Sequence, residues 1–377
     1  MKIDQIEFQL SRIRLPKGDW GDQIHHVTHI EIITADVYSD TGIVGTGFTH
    51  TSGVGGRTIL AMLEEMRPTL IGQSVNPRSV WHDAWRYIRD NGPGGVTTLA
   101  LAAIDIALWD IVGKVQNKAL ADVIGRVRED VPLYGSGINL NLSADEVVEQ
   151  VRDWRGRGYF AGKVKVGKPE LEEDVYRLTK IREAVGEYPL MVDANQGWSY
   201  PEAVRAMERF RHLNLYWVEE PLPVDDVLGH ARLRARSSLP IGLGENVYTL
   251  NQFNQFLASD ACDFVQADIG RVGGITPYLD IAAVARSYNV PMAPHFVMEL
   301  SAHLLCAVPN ALGAEDTHGG TLTELGVIEP QHPVNGVFTP PLTAGHGLVF
   351  DRVKLSANAV NPHETPVVDT LAADTFA

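Results

Sequence analysis

A chain of 377 residues exceeds the size at which one simple core suffices, so two structural units are expected. Its net charge of −15, from 32 basic against 47 acidic residues, leaves no phosphate-tracking basic surface and argues against nucleic acid or a membrane as partner. Hydrophobic residues at 45% and charged residues at 21% are ordinary for a globular chain.

The opening residues, Met1-Lys2-Ile3-Asp4-Gln5-Ile6-Glu7, alternate apolar and polar as a strand does, and they lack the basic start and apolar run of a signal peptide. No stretch approaches the roughly 18 apolar residues of a membrane span. Cys262 and Cys306 give no disulfide framework and read as reduced, buried thiols, so a cytoplasmic location is expected.

Residues 30–34 and 43–48 read as two further strands around the turn Asp40-Thr41-Gly42, with Gly45-Thr46-Gly47 read as a turn or bulge. Residues 57–126 read as helices, the clearest over 99–115 with apolar residues at helical spacing. Strands followed by separate helices describe an α+β unit over residues 1–125. Short apolar strands then alternate with helical stretches at 133–139, 162–166, 190–193, 215–219, 241–245, 264–268, 290–295 and 312–315. Such parallel strand–helix units most readily close into a barrel, here over residues 126–330. The Pro- and Gly-rich remainder, 331–377, is expected to pack back on the first unit.

Barrels of this kind build their sites at the C-terminal ends of the strands. The polar residues standing there are Lys163, Lys165, Asp193, Glu219, Glu245, Asp268, His295 and Glu315. Asp193, Glu219 and Glu245 follow one another at intervals of 26 residues, so three successive strands aim carboxylates into one mouth. That cluster is costly without a cation, and three oxygen ligands with positions left open suit Mg²⁺. Taken singly, each acid equally suits a helix cap; in register, the three favour a metal. Lys163 and Lys165 share one face of a strand, where each ammonium, and the metal, is expected to lower the other's pKa toward that of a general base. Asp268 closes the strand before His295 and can fix its tautomer. Glu315 can donate a hydrogen bond to a developing oxyanion if its surroundings keep it protonated.

This ordered set resembles the mandelate racemase subgroup of the enolase superfamily. The resemblance runs over nearly the whole chain: Ala103-Ile104-Asp105-Ile106-Ala107-Leu108-Trp109-Asp110-Ile111-Val112-Gly113-Lys114, Val192-Asp193-Ala194-Asn195, Trp217-Val218-Glu219-Glu220-Pro221, Gly244-Glu245-Asn246 and Pro294-His295-Phe296. It implies a modified TIM barrel, (β/α)7β, with an N-terminal α+β capping domain. It further implies Mg²⁺ on Asp193, Glu219 and Glu245, Lys165 as base or acid on one face of the substrate, and the Asp268–His295 pair on the other. Lys163 would touch the substrate carboxylate and tune Lys165, Glu315 would hydrogen-bond the enolate oxygen, and Asn195 and Asn246 would be supporting or substrate contacts. A homo-oligomer is implied as well, as is abstraction of the proton alpha to a carboxylate to give an enediolate, the chemistry for which this superfamily serves as the standard example.

Two armed faces do not choose between a racemase, which returns the proton from the opposite side, and a dehydratase, whose second group expels the β-hydroxyl. Residues 17–29, expected in a loop over the pocket, offer Lys17, Asp19, Trp20, Asp22, Gln23, His25 and His26. These suit several hydroxyls better than an aryl group, although plain solvation explains them equally well. Dehydration of a sugar acid (aldonate or aldarate) to a 2-keto-3-deoxy acid is therefore preferred, with Trp20, His25 and Asn195 as substrate contacts. The alternatives are a racemase, epimerase or cycloisomerase of a 2-hydroxy acid and, from another class, a non-catalytic relative that binds an acid metabolite. Gly270-Arg271-Val272-Gly273-Gly274 lacks the Lys-Ser/Thr of a phosphate loop and is set aside as a dinucleotide motif.

Overall fold

In the computed structural model, which describes residues 1–361, the chain begins as a three-stranded antiparallel sheet of β1 (Ile3–Arg14), β2 (His29–Ser39) and β3 (Val44–Thr51). Helices α1 (Gly56–Leu70), α2 (Pro77–Ile88) and α3 (Val96–Gln116) follow. Alternation along β1 turns Ile6 and Leu10 inward, against Ile59, Leu63 and Met66 spaced along one face of α1. Gly45 and Gly47 lie in regular β3, paired with Val37 and Ala35, and not in the expected turn or bulge. A Cβ on Gly45 would come 2.1 Å from the Ala107 carbonyl, and one on Gly47 1.9 Å from that of Ala103. Glycine stands there because the backbone of α3 lies directly on the strand.

Among the described residues, α3 is the one helix long and apolar enough to cross a membrane, yet 78% of its apolar window is buried within the fold. It is a core helix, and its two acids have inward duties. Asp105 accepts from Thr276 N at 2.8 Å and Thr276 Oγ1 at 2.6 Å, at the start of α4 (Ile275–Ser287). A Cβ on Gly274 would fall 2.5 Å from that carboxylate, and Trp81 Nε1 donates to Gly273 O at 2.9 Å. The glycine run at 270–274 therefore serves the junction between the two units.

Strands β4 (Val131–Ser136), β5 (Ala161–Lys165), β6 (Leu190–Asp193), β7 (Val218–Glu219), β8 (Ile241–Leu243) and β9 (Phe264–Val265) run parallel in that order, and β10 (Ala314–Thr317) lies beside β4. The strand expected at 290–295 is reduced to Met292, which bridges Val265 on one side and Ala311 on the other. Pro291 and Pro294 flank it and lack the N–H groups a longer ladder needs. Four bonds still close the ring: Val265 N to Pro291 O at 3.0 Å and Ala293 N to Val265 O at 2.9 Å on one side, Met292 N to Asn310 O and Leu312 N to Met292 O at 2.8 Å each on the other. The result is a modified TIM barrel beneath an α+β cap.

Past residue 330, Val337–Phe338 pairs with β4, whereas His346 Nε2 donates to Thr46 O at 2.6 Å and Arg352 pairs with Asp36 at 2.6 Å in the first unit. Residues 362–377 of the expected C-terminal segment lie outside the described residues. Cys262 and Cys306 are buried free thiols.

Candidate active site

Strand register assembles the centre. Lys165 pairs with Asp193 across β5 and β6, and Asp193 with Glu219 across β6 and β7. Glu219 pairs in turn with Gly242, three residues before Glu245. Carboxylate oxygens of Asp193, Glu219 and Glu245 lie within 4.8 Å of one another. Three hard oxygen donors at that spacing fit a Mg²⁺-sized cation that keeps further positions for substrate and water. Behind them Lys163 donates to both oxygens of Glu219, at 2.8 and 2.9 Å, and lies 2.7 Å from Glu315. Gln266 and Trp217 add bonds to Glu219 at 2.6 and 3.2 Å, fixing its plane.

The chain turns left-handed just past these strand ends: Asn195 (φ 44°) and Gln196 (φ 63°) after Asp193, Glu220 (φ 37°) after Glu219, and Phe296 (φ 57°) and Val297 (φ 44°) after His295. A β-branched residue there is strained, and Phe296 N holds the turn by donating to Glu315 at 2.7 Å.

His295 Nδ1 lies 2.7 Å from Asp268. Burial would push the Asp268 carboxyl up, but His50, His295 and Arg271 hold it at about 2. An ionised Asp268 only accepts, so Nδ1 carries a proton and Nε2 is the nitrogen that gains or loses one. Burial disfavours the imidazolium, yet Glu245, Asp268 and Glu315 raise His295 to about 9.

Two electrostatic expectations meet opposing contacts. Burial does favour a neutral Lys165, but Asp193 in hydrogen-bond contact outweighs both burial and Lys163 and holds it above the ordinary lysine range. Lys163 is raised well above that range, because Glu219 and Glu315 overcome its burial. Register sets a carboxylate against each ammonium, and on Lys165 that pairing outweighs the lowering by Lys163. Glu315 could donate only if its surroundings kept it protonated; burial would raise it, but Lys163 and His295 hold it at about 2, and it accepts from Phe296 N.

A cavity of about 260 Å³ opens between the barrel mouth and the first unit. Lys165, Glu245, Arg271 and His295 line its barrel side, with Trp20, Asp22, His25, His50 and Thr51 opposite. Asn195 and Asn246 lie on its wall, and Asn195 Oδ1 is buried without a hydrogen-bond partner. Lys163, expected against the substrate carboxylate, is 1% exposed and does not reach that wall; Asp193, Glu219, Asp268 and Glu315 support it from beneath. The polar loop is narrower than expected. Trp20, Asp22 and His25 face the cavity, but Lys17 pairs with Glu324, Asp19 with Arg14 at 3.3 Å, and His26 lies 3.5 Å from Asp19. Gln23 turns to the barrel loops and donates to Gly197 O at 3.1 Å.

Two residues here escape a sequence reading. Arg271, in a segment notable there only for its glycines, lies 3.0 Å from Glu245 and bonds Asn246. His50, at the end of β3, stacks on Phe296 at 4.6 Å with Nε2 3.7 Å from Asp268. Burial pushes His50 down to about 4, so it meets the dyad as a neutral ring. Its one signal in the sequence is a histidine at the end of a strand.

Known proteins resemble this chain over most of its length. Residues 22–125 match the family model of the mandelate racemase / muconate lactonizing enzyme N-terminal domain, and residues 146–354 match the enolase C-terminal domain-like model. The chain is 33% identical over 361 residues to 3,6-anhydro-alpha-L-galactonate cycloisomerase of Streptomyces coelicolor, spanning 95% of this chain and 99% of that protein. It is 39% identical over 291 residues to L-talarate/galactarate dehydratase of Salmonella typhimurium, spanning 75% and 72%. L-Talarate dehydratase from Polaromonas sp. JS666, crystallised with Mg and L-glucarate, superposes with a TM-score of 0.85 at 31% identity over 96% of this chain and 98% of that one.

Proposed function

The chain belongs to the mandelate racemase/muconate lactonizing enzyme family, and on that premise we propose that it dehydrates a sugar acid to a 2-keto-3-deoxy acid. One observation carries the reading: Lys165 and His295 line a single cavity with Glu245 of the three-carboxylate cluster. Asp193, Glu219 and Glu245 would hold magnesium, which would supply the positive charge that acidifies a proton alpha to a carboxylate.

The chain's own groups do the rest. Lys165 moves a proton at Nζ on one face, and His295, oriented by Asp268, moves one at Nε2 on the other. One group takes the alpha proton, leaving an enediolate; the other gives its proton to the β-hydroxyl, which departs as water. The enol that remains tautomerises to the 2-keto acid. Glu315 fixes the turn below His295 through Phe296 and holds the Lys163 ammonium beside Glu219. Asn195 and His25 offer polar contacts to the substrate's hydroxyls, while Trp20, whose Nε1 donates to His318 O at 3.2 Å, offers its ring. A cytoplasmic homo-oligomer belongs to the same reading, supported by the two unbridged cysteines and by the family resemblance.

A second reading is cycloisomerisation of a sugar acid, favoured by the nearly full-length match to a cycloisomerase and served by the same two proton-transfer groups. A panel of acid sugars incubated with Mg²⁺, with semicarbazide detection of 2-keto product, separates the two. Keto acid should form, should stop with EDTA, and should fall at least about a hundredfold in Lys165→Ala and His295→Asn. Isomerised acid without keto product selects the second reading, and full turnover by both variants refutes the two-group mechanism.

A further inference from the structure

Resting on the dehydratase reading, we propose that the cavity takes a monocarboxylic sugar acid whose far end is an uncharged, hydroxylated carbon, and that it rejects the matching diacid. With the reacting carboxylate at the barrel mouth, the remainder of the substrate must extend toward the cap. The cavity is lined there by Trp20, Asp22, Ile24, His25, Thr51 and Ser52. A second carboxylate needs a cation on that side.

Among the described residues lining the cavity, every basic group is already engaged. Lys165 is held by Asp193, Arg271 by Glu245 at 3.0 Å, His295 by Asp268 at 2.7 Å, and His25 by Asp22 at 3.2 Å. His50, a neutral ring, is turned to Asp268. Arg271 and His295 also belong to the barrel side, where any charge they free serves the reacting end.

What the wall offers instead is acceptors. Asp22 is buried and pinned, its Oδ1 accepting from Ile24 N and His25 N at 2.7 Å each. Burial would raise it, but the bond from His25 and the field of Lys165 keep it ionised. On the barrel side, two residues past Asp193, Asn195 Oδ1 is a second acceptor, buried and without a partner. A hydroxyl donates to both; an ionised carboxylate donates to neither, and at the Asp22–His25 pair, where each holds the other's charge, it meets no net cation. Chemistry of this polarity recognises an aldonate-type tail.

The test uses matched pairs of sugar acids that differ only in oxidation of the terminal carbon, with the Mg²⁺-loaded enzyme. Turnover is read as kcat/KM for 2-keto product, and binding as the rise in Tm. The aldonate should be preferred by roughly a hundredfold. Ser52→Arg, at an exposed position on the cap side, should narrow that ratio about tenfold by giving the diacid a cation. A diacid turned over as well as its aldonate overturns the inference and leaves dehydration standing. Keto acid from neither, with Tm still raised by the aldonate alone, sinks the dehydratase reading and keeps the charge rule. Equal stabilisation by both acids, or by neither, overturns the charge rule itself.

Discussion

The barrel mouth and the loop at residues 17–29 face the same cavity, yet they hold their charges by opposite means. At the mouth, register sets each ionised group against a partner from a different part of the barrel: Lys163 between Glu219 and Glu315, Lys165 on Asp193, His295 on Asp268. In the loop, built around the two-residue strands Trp20–Gly21 and His26–Val27, the acids find partners close by, Asp22 in His25 and Asp19 in Arg14, while Lys17 and Gln23 reach out to Glu324 and Gly197. Charges of the first kind depend on one another and are costly to remove. Those of the second kind are cheap to exchange, which is where specificity can vary without loss of the fold.

Lys163→Met is the sharpest break available in that contrast. Methionine keeps the bulk and removes the charge, leaving Glu219 and Glu315 buried without their shared cation. Urea denaturation in EDTA should show a loss of about 3–5 kcal/mol. Asp22→Asn in the loop should cost under about 1 kcal/mol in the same experiment. Similar costs for the two would dissolve the distinction.

The same contrast explains what was legible before the fold was known. Asp193, Glu219 and Glu245 were readable because one strand–helix unit repeats at a fixed interval, and a period-2 strand allows one choice of face. His295 and Asp268 were readable for the same reason. The charge states of Lys165 and Glu315 were not, because they depend on which neighbour stands closest, and spacing along one strand says nothing of the next. The loop residues were chemically suggestive, but a loop's side chains point where local turns send them: Lys17 to Glu324, Gln23 to Gly197. His50 and Arg271 join the centre through contacts between elements far apart in sequence, for which a single chain carries no marker. In the fold, the seventh strand was overread, since the two prolines that flank Met292 leave it one bridging residue on each side.

Between mouth and cap lies the junction of α3 with α4, and it sharpens the comparison through pH. Burial raises the Asp105 carboxyl from its ordinary 3.8 to about 7, against the bonds it receives from Thr276. An acid whose pKa is higher folded than unfolded binds its proton more tightly in the folded state. The contribution of Asp105 to stability should therefore be greatest below about pH 4, fall as the pH rises to about 7, and level off above. A shift of that size corresponds to about 4 kcal/mol, comparable with the Lys163 effect. Asp105→Asn cannot ionise, so the difference between wild type and variant isolates this group. A difference that stays constant across the interval would show that Asp105 is ionised throughout.

The smallest expected effect is where the loop grips the mouth. The Gln23 amide sits between Gly167 and Gly197, where a Cβ would come 2.3 and 2.0 Å from its Oε1. These glycines follow the strands that carry Lys165 and Asp193, so the loop takes its position from the backbone next to the reacting centre. The grip is one hydrogen bond, Nε2 to Gly197 O at 3.1 Å, worth about 1 kcal/mol. Gln23→Ala should raise KM roughly fivefold and leave kcat within about twofold, because it unseats the loop and leaves both proton-transfer groups in place. Gly197→Ala should expel the amide and do the same. The double variant should then be no worse than the worse single, since both break one contact. Multiplied losses would instead mean that Gly197 shapes the Asp193 turn directly, and the cheap, exchangeable region would begin further from the barrel than the Gln23 contact implies.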